Sequence, residues 1–327
     1  MTRLRIATFN LENLDDRPGE GPLLAERIAV LRPQLERIAA DILCLQEINA
    51  QSRPGTGPRR LDALDRLLEG TAYAGFARAA TRSVGDAGPA DVHNLVTLSR
   101  PPIVAERQIR HHLVPPIDWR WLTAEPPASA TQPVAWDRPL LHTTHEIMGR
   151  KLEVLNLHLR APLAAHVPGQ KIDAWSWRSV SGWAEGFFLA AIKRVGQAVE
   201  ARLVVERLFD ADPAALIAVC GDLNAESRET PLRVLRADPE DTGNAALAPR
   251  ALQALEAVVP DSRRFSVLHG GRKVLLDHLL VSAPLASCAV RAEIHNEALA
   301  DEMIAFMRGE RGPGSFHAPV VAEFDLA

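Results

Sequence analysis

Short apolar runs, each closing on a polar side chain, punctuate this chain. Arg5-Ile6-Ala7-Thr8-Phe9 runs into Asn10, Asp41-Ile42-Leu43-Cys44-Leu45-Gln46 into Glu47, Glu153-Val154-Leu155-Asn156-Leu157 into His158, and Leu216-Ile217-Ala218-Val219-Cys220 into Gly221-Asp222-Leu223-Asn224. Runs this short and this apolar read as buried strands. Further strands are predicted at Asn94–Ser99, Leu140–Ile147, 274–282, 289–292 and 320–324. The run Leu140–Ile147, a turn at Met148-Gly149 and the run 152–159 read as a hairpin.

Helical spacing is rarer. Leu24, Ile28, Leu31, Leu35 and Ile38 form one apolar stripe, and Pro33 within it removes a backbone donor, which predicts a kink or a helix restarting there. Phe188, Ile192, Val195 and Val199 form a second stripe that continues to Phe209. Strands outnumber helices, and hairpins mix with strand–helix–strand units. A simple doubly wound parallel sheet does not suit this pattern, whereas two mixed sheets packed face to face with helices outside do. Segments 53–60, 82–90, 115–133 and 161–182 read as loops without a core of their own, and there is no repeat of solenoid period. One domain over 1–327 with loops elaborated at those four places is the expected organisation.

Composition narrows the class. The 327 residues are 47% hydrophobic and 24% charged, which supports a sizeable core and excludes global disorder. A net charge of −4 argues against sequence-blind neutralisation of a duplex, and leaves room only for a local basic groove. Cys44, Cys220 and Cys288 are odd in number and lack metal-ligand spacing; the first two fall inside apolar runs, as buried reduced thiols do. The N-terminus is polar again by Asn10, and no stretch reaches the ~18 apolar residues of a membrane span. A soluble cytoplasmic protein without a membrane role is expected.

The polar residues that close the runs, with Leu276-Asp277-His278 and Ser315-Phe316-His317-Ala318-Pro319 near the C-terminus, stand in an order that resembles the endonuclease/exonuclease/phosphatase superfamily. The matching motifs are Phe9-Asn10, Leu45-Gln46-Glu47, Leu157-His158-Leu159, Gly221-Asp222-Leu223-Asn224, Leu276-Asp277-His278 and 315–320, so the resemblance covers essentially the whole chain. It implies a deoxyribonuclease I-like fold, a four-layer α/β/β/α sandwich of two mixed β-sheets flanked by helices. It also implies a divalent-metal-dependent phosphodiester hydrolase.

Such hydrolysis needs a cation on the phosphoryl oxygens, a base for water and donors for the developing charge. Hard cations such as Mg²⁺ or Mn²⁺ take oxygen ligands, and Glu47 with the Asn10 amide oxygen alongside suits that role. Asp222 and Asn224, on one face of an extended segment, would activate water and hold a phosphate oxygen. By resemblance Asp277 and His317 form a carboxylate–imidazole pair for acid–base work, and His158 is a second histidine toward phosphate or leaving group. His278 reads as a core residue, and Asn94 stands where the family often has a substrate-side polar group.

Where the family commonly has Ser-Asp-His, this chain has Ser315-Phe316-His317, which removes a carboxylate and motivates an inactive phosphate-ester-binding scaffold as an alternative. Val134-Ala135-Trp136-Asp137-Arg138-Pro139 looks like a 5-phosphatase segment but precedes the Asp222 strand and is set aside. DNA is the expected substrate, held by a local patch of Arg160, Lys171, Arg178 and Lys193, while Trp119, Trp121, Trp175, Trp177 and Trp183 read equally as stacking platforms for bases and as packing of the loops against the sandwich. Phosphomonoesterase and lipid or small-molecule phosphodiesterase activities are the other readings.

Overall fold

The computed structural model describes residues 2–17, 19, 21–52, 57–85, 88–309 and 312–326. Two six-stranded sheets dominate it. The first runs β15 (Ala289–Ile294), β16 (Val320–Leu326), β1 (Thr2–Leu14), β2 (Ile42–Ile48), β4 (Asn94–Ser99), β3 (Ala77–Ala80). The second runs β11 (Leu252–Ala254), β14 (Asp277–Ser282), β10 (Leu216–Asp222), β9 (Arg150–His158), β8 (Leu140–Ile147), β5 (Ile103–Ile109). Two small ribbons complete the strands: β6 (Ile117–Trp119) with β7 (Gln132–Val134), and β12 (Val267–His269) with β13 (Arg272–Val274).

Side-chain alternation explains why the central strands are apolar throughout. Leu4, Ile6, Ile42 and Cys44 meet Leu152, Val154, Leu216, Ala218 and Cys220 between the sheets. The intervening Ala7, Phe9, Leu43 and Leu45 face outward onto α1 (Leu24–Ile38) and α2 (Asp62–Leu68). Leu155, Leu157, Ile217 and Val219 face α3 (Val180–Ala211) and α4 (Thr230–Arg236). Both faces of each sheet are covered, so period two sorts residues between cores rather than between core and water. Four layers, α/β/β/α, are the result. Cys44 and Cys220 are buried free thiols, and Cys288 is a partly exposed one.

Several boundaries differ from the sequence reading. Helix α1 passes through Pro33 without a restart. The predicted strand 274–282 is broken into β13 and β14, with Leu276 N–H turned to Ser266 Oγ at 3.0 Å. Met148 and Gly149 make the β8–β9 turn at φ 51° and 74°, the positive angles a tight hairpin demands.

The second helix starts at Val180 and does not bury the expected stripe: Phe188 is exposed, while Gly182, Gly186, Leu189, Ala198, Ala201 and Val205 face inward with Glu185 and Glu200. Those acids are engaged. Glu185 accepts from Trp119 Nε1 (2.9 Å) and from the N–H groups of Leu122 and Thr123, and Glu200 from His111 N–H, Leu113 N–H and Trp136 Nε1 (2.8 Å).

Segments 115–133 and 161–182 were expected to lack a core. Instead Trp119, Trp121 and Trp177 pack on Val134, Ala165, Val167, Leu189 and Ala190 as a separate apolar cluster. Segments 53–60 and 82–90 lie partly outside the described residues, at 53–56 and 86–87.

Candidate active site

The inner faces of the strands turn polar together at one rim. Following Leu4 and Ile6 come Thr8 and Asn10; following Ile42 and Cys44 comes Gln46; following Leu152 and Val154 come Asn156 and His158; following Leu216, Ala218 and Cys220 comes Asp222. Thr8 and Gln46 are hydrogen-bonded, Gln46 Nε2 donates to Asn156 Oδ1 at 2.8 Å, and Asn156 Nδ2 reaches Leu45 O and Val96 O. This satisfied polar layer ties the two sheets directly beneath the rim.

Above it, His158, Asp222 and Asp277 form one row, because Asp222 is in register with both His158 of β9 and Asp277 of β14. Gly221 permits that row: its φ is +142°, and a Cβ there would stand 1.8 Å from Leu157 O.

Glu47 breaks the alternation. Period two would send it outward with Leu43 and Leu45, but its φ is +59° and the β2–β4 register shifts between Leu45 and Ile48. Beside it β1 shifts register between Asn10 and Leu14, where Glu12 and Asn13 have φ 48° and 53°. These paired irregularities turn the Glu47 carboxylate back over the rim, a conformation costing about 1–3 kcal/mol per residue that functional sites tend to retain.

The expected residues are brought together. Asn10 Nδ2 donates to Asp222 Oδ2 at 3.0 Å and Glu47 Oε1 at 3.3 Å. His158 Nε2 lies 3.4 Å from Asp222 Oδ2 and 3.6 Å from Glu47 Oε1. His317 Nδ1 sits 2.8 Å from Asp277 Oδ2, and its Nε2 faces Asp222 Oδ2 at 3.9 Å.

Two details differ from expectation. The Asn10 oxygen accepts Glu12 N–H at 2.8 Å, so its nitrogen, not its oxygen, faces Glu47. Asn224 is not extended: at φ 48° it curls back, its N–H on Asp222 Oδ1 and its amide on Asp222 Oδ2 and Leu159 O. Its donors are therefore engaged in orienting Asp222.

The electrostatics divide the titratable groups. Burial pushes Asp222 up to about 7, with Asp277 and Glu47 adding to the rise and His317 and the Asn224 N–H opposing it. Burial alone would depress His317, yet Asp277, Asp222 and Glu47 hold it well above the usual histidine range, as a cation. Burial, with Arg138, His93 and His317 nearby, holds His158 well below that range, as neutral imidazole. Groups whose environments drive them apart in this way are suited to separate proton-transfer roles.

Glu47, His158 and Asp222 place ligand atoms within 4.8 Å of one another, as do Asp222, Asp277 and His317. Asp277 Oδ1 is buried without a partner. An oxygen-rich set with an unengaged buried carboxylate oxygen fits a hard divalent cation, with Glu47 and Asp222 as the natural anchors.

Three site residues escaped the sequence reading. Glu12 accepts Phe316 N–H at 2.8 Å; burial raises its carboxyl, the Phe316 N–H and His317 lower it, and Glu47 adds to the rise. It thus brings a carboxylate beside the position where Phe316 lacks one. The signal was present, since Glu12 continues the spacing of Thr8 and Asn10. Arg138, from the segment set aside, donates to Leu159 O at 3.4 Å and contacts His93 Nδ1 at 3.1 Å. His93, the Arg138 partner, meets Asn13 Oδ1 at 2.9 Å.

Other expectations move the opposite way. The Asn94 amide is wholly engaged with Ile48 O, Ala90 O and Ala90 N–H, a structural role. His278 lies buried between Glu256 and Ala225 O, as the core reading held. Of the five tryptophans, Trp119, Trp121 and Trp177 are packed, whereas Trp175 is 72% and Trp183 45% exposed. The basic patch is largely neutralised within the chain. Arg160 and Lys193 both pair with Asp137, Arg178 with Glu125, and Lys171 lies over Trp177 with its ammonium on Ala174 O.

An α/β/β/α frame with carboxylates, amides and histidines converging at one rim defines a deoxyribonuclease I-like class of fold. The chain belongs to the Endonuclease/Exonuclease/phosphatase family, whose sequence profile matches residues 7–301. Solved structures agree on the frame. Truncated TDP2 from Caenorhabditis elegans is 17% identical, with 99% of this chain and 98% of that one covered at a TM-score of 0.57. A variant of the 3' phosphatase NExo from Neisseria, bound to product DNA hairpin, is 18% identical with 99% and 100% covered at 0.53. An AP endonuclease from Archaeoglobus fulgidus is 16% identical with 99% and 100% covered at 0.51. No curated protein sequence matches the chain. No helix among the described residues is long and apolar enough to cross a membrane.

Proposed function

We propose that this chain is a divalent-metal-dependent phosphodiester hydrolase, a nuclease acting on DNA by in-line attack of water with Mg²⁺ or Mn²⁺. The observation that carries the reading is the row His158–Asp222–Asp277 with His317 closing it from β16's approach and Glu47 turned onto it against alternation. Two structural relatives, an AP endonuclease and a 3' phosphatase bound to a product DNA hairpin, favour DNA as the substrate.

Glu47 and Asp222 would hold the cation, braced by Asn10, and Glu12 adds negative potential beside them. When bound, the cation neutralises charge on the phosphoryl and leaving oxygens. Asp222, aimed by Asn224, takes the proton of the attacking water. His317, kept charged by Asp277, donates from Nε2 to a phosphate oxygen. His158, held neutral, donates toward the leaving side. The Glu12 carboxylate at Phe316 N–H weighs against the inactive-scaffold alternative.

The test is a panel of DNA, RNA, 3'-phosphorylated DNA ends and bis(p-nitrophenyl) phosphate with purified protein. Cleavage of DNA is expected to vanish in chelator and return with Mg²⁺ or Mn²⁺. His317→Ala is expected to lower kcat by about 10²–10⁴-fold at unchanged folding. Turnover that ignores chelator overturns the reading. Activity confined to phosphorylated ends selects a phosphomonoesterase instead, the activity for which the Neisseria relative is named.

A further inference from the structure

A basic cleft lies farther along the same rim. From His158 at the end of β9, the neighbouring strand β8 begins at Leu140, just after Arg138, and the next strand, β5, ends at Ile109, just before Arg110. Strands lie about 4.8 Å apart, so Arg110 is roughly 10 Å from the catalytic row, a span of about one to two backbone phosphates.

Beside Arg110, between edge strands β3 and β5, opens a cleft of about 560 Å³. Among the described residues Arg107, Arg110 and His112 line it beside one carboxylate, Glu106. Among the described residues neither Arg107 nor Arg110 makes an ion pair, and Arg110 Nε is buried with no hydrogen-bond partner. His112 Nδ1 accepts Arg110 N–H at 3.0 Å, which leaves its Nε2 as a donor. Arg138, one strand nearer the site, also keeps a buried unpartnered Nε. Buried donors without acceptors are uncommon, and a guanidinium is built to meet a phosphate. Arg160, Arg194 and Arg236 also carry a buried unpartnered Nε, but each pairs with a carboxylate through its Nη atoms, as Lys193 and Arg178 do through their own cationic groups; Arg107 and Arg110 do not.

We propose that the β3–β5 cleft is a phosphate subsite that holds the substrate strand's backbone about one to two nucleotides from the scissile bond. The assignment rests on the DNA reading above and says where that strand runs: from the catalytic row past Arg138 to Arg107 and Arg110.

The experiment measures binding of fluorescent single-stranded oligonucleotides of increasing length in chelator, where no cleavage occurs, for wild type and an Arg107→Ala/Arg110→Ala variant. Wild-type affinity should step up once the strand is long enough to reach the cleft, and the variant should lose that step. The slope of log K against log salt should fall by about 0.7–1.4, one to two phosphates' worth. Turnover of bis(p-nitrophenyl) phosphate, too short to reach the cleft, should be unchanged, which also shows that the variant is folded.

Equal slopes and equal length dependence in the two proteins overturn the subsite, as does wild-type protein that binds no DNA. Failure of the nuclease reading alone shows differently, as absent DNA cleavage with metal while the binding step persists.

Discussion

The strand rim and the cap built from 111–136, 161–178 and residues 180–200 of α3 both bury acids, by opposite routes. At the rim, Asp222 and Asp277 are the next residues on strands whose inner faces are otherwise apolar, and they sit close to one another and to cationic or neutral imidazoles. In the cap, Glu185 and Glu200 lie on the inward face of a helix and gather N–H groups from loops far away in sequence. Rim acids are left with unmet electrostatic demand, which is what chemistry needs. Cap acids are satisfied, which is what a loop without regular structure needs. An acid's burial alone therefore says little about function; what its oxygens already hold decides it.

The largest expected effect tests the rim's geometry. Gly221→Ala forces a Cβ into Leu157 O and is expected to destabilise by about 4 kcal/mol, read by urea unfolding. A loss below about 1 kcal/mol would mean that β9 and β10 can part without cost, and the row with them.

Next is the cap. Glu200→Ala leaves His111 N–H, Leu113 N–H and Trp136 Nε1 without their acceptor and should cost about 3 kcal/mol. Turnover of a small diester by the folded fraction should stay within about twofold of wild type. A large kcat defect at full folding would show that the cap acids belong to the chemistry after all.

The smallest effect is the coupling of protons to cation. Asp222 rises to about 7 in the fold from an ordinary value near 3.8, so the folded state keeps a proton between those limits that the unfolded chain has lost. Its contribution to stability is largest at low pH and declines as pH climbs to about 7. A divalent cation must displace that proton. Cation-induced stabilisation should therefore grow with pH up to about 7, by at most about 1.4 kcal/mol per unit, and level off above. Thermal shifts with and without Mg²⁺ across pH 5.5–8.5 check this, and Asp222→Asn should flatten the curve.

Legibility followed the same division. Asp222, His158 and Asn10 were readable because apolar runs ended in them, and a run's end fixes both a strand and its rim. Glu47 was readable as a strand-end acid, but its inward aim was not, since period two points it the other way and only the bulge reverses it. Glu12 was missed because β1 was expected to stop at Asn10, whereas it runs to Leu14. The buried face of α3 was misread because many of its inward positions are glycine, alanine or acids, and the bulky Phe188 lies half-exposed against the Trp119 ring. The partners that justify that face come from 60 to 90 residues away, beyond any local pattern.

One consequence follows from the shared spacing of the inner-facing residues. Leu4 to Asn10, Leu152 to His158 and Leu216 to Asp222 each advance from the middle of the sandwich to its edge in steps of two. Lengthening or shortening any of these strands by a single residue would turn its functional group toward the helices, while a change of two would preserve its heading. The distance from interior to working edge is thus counted in dipeptides.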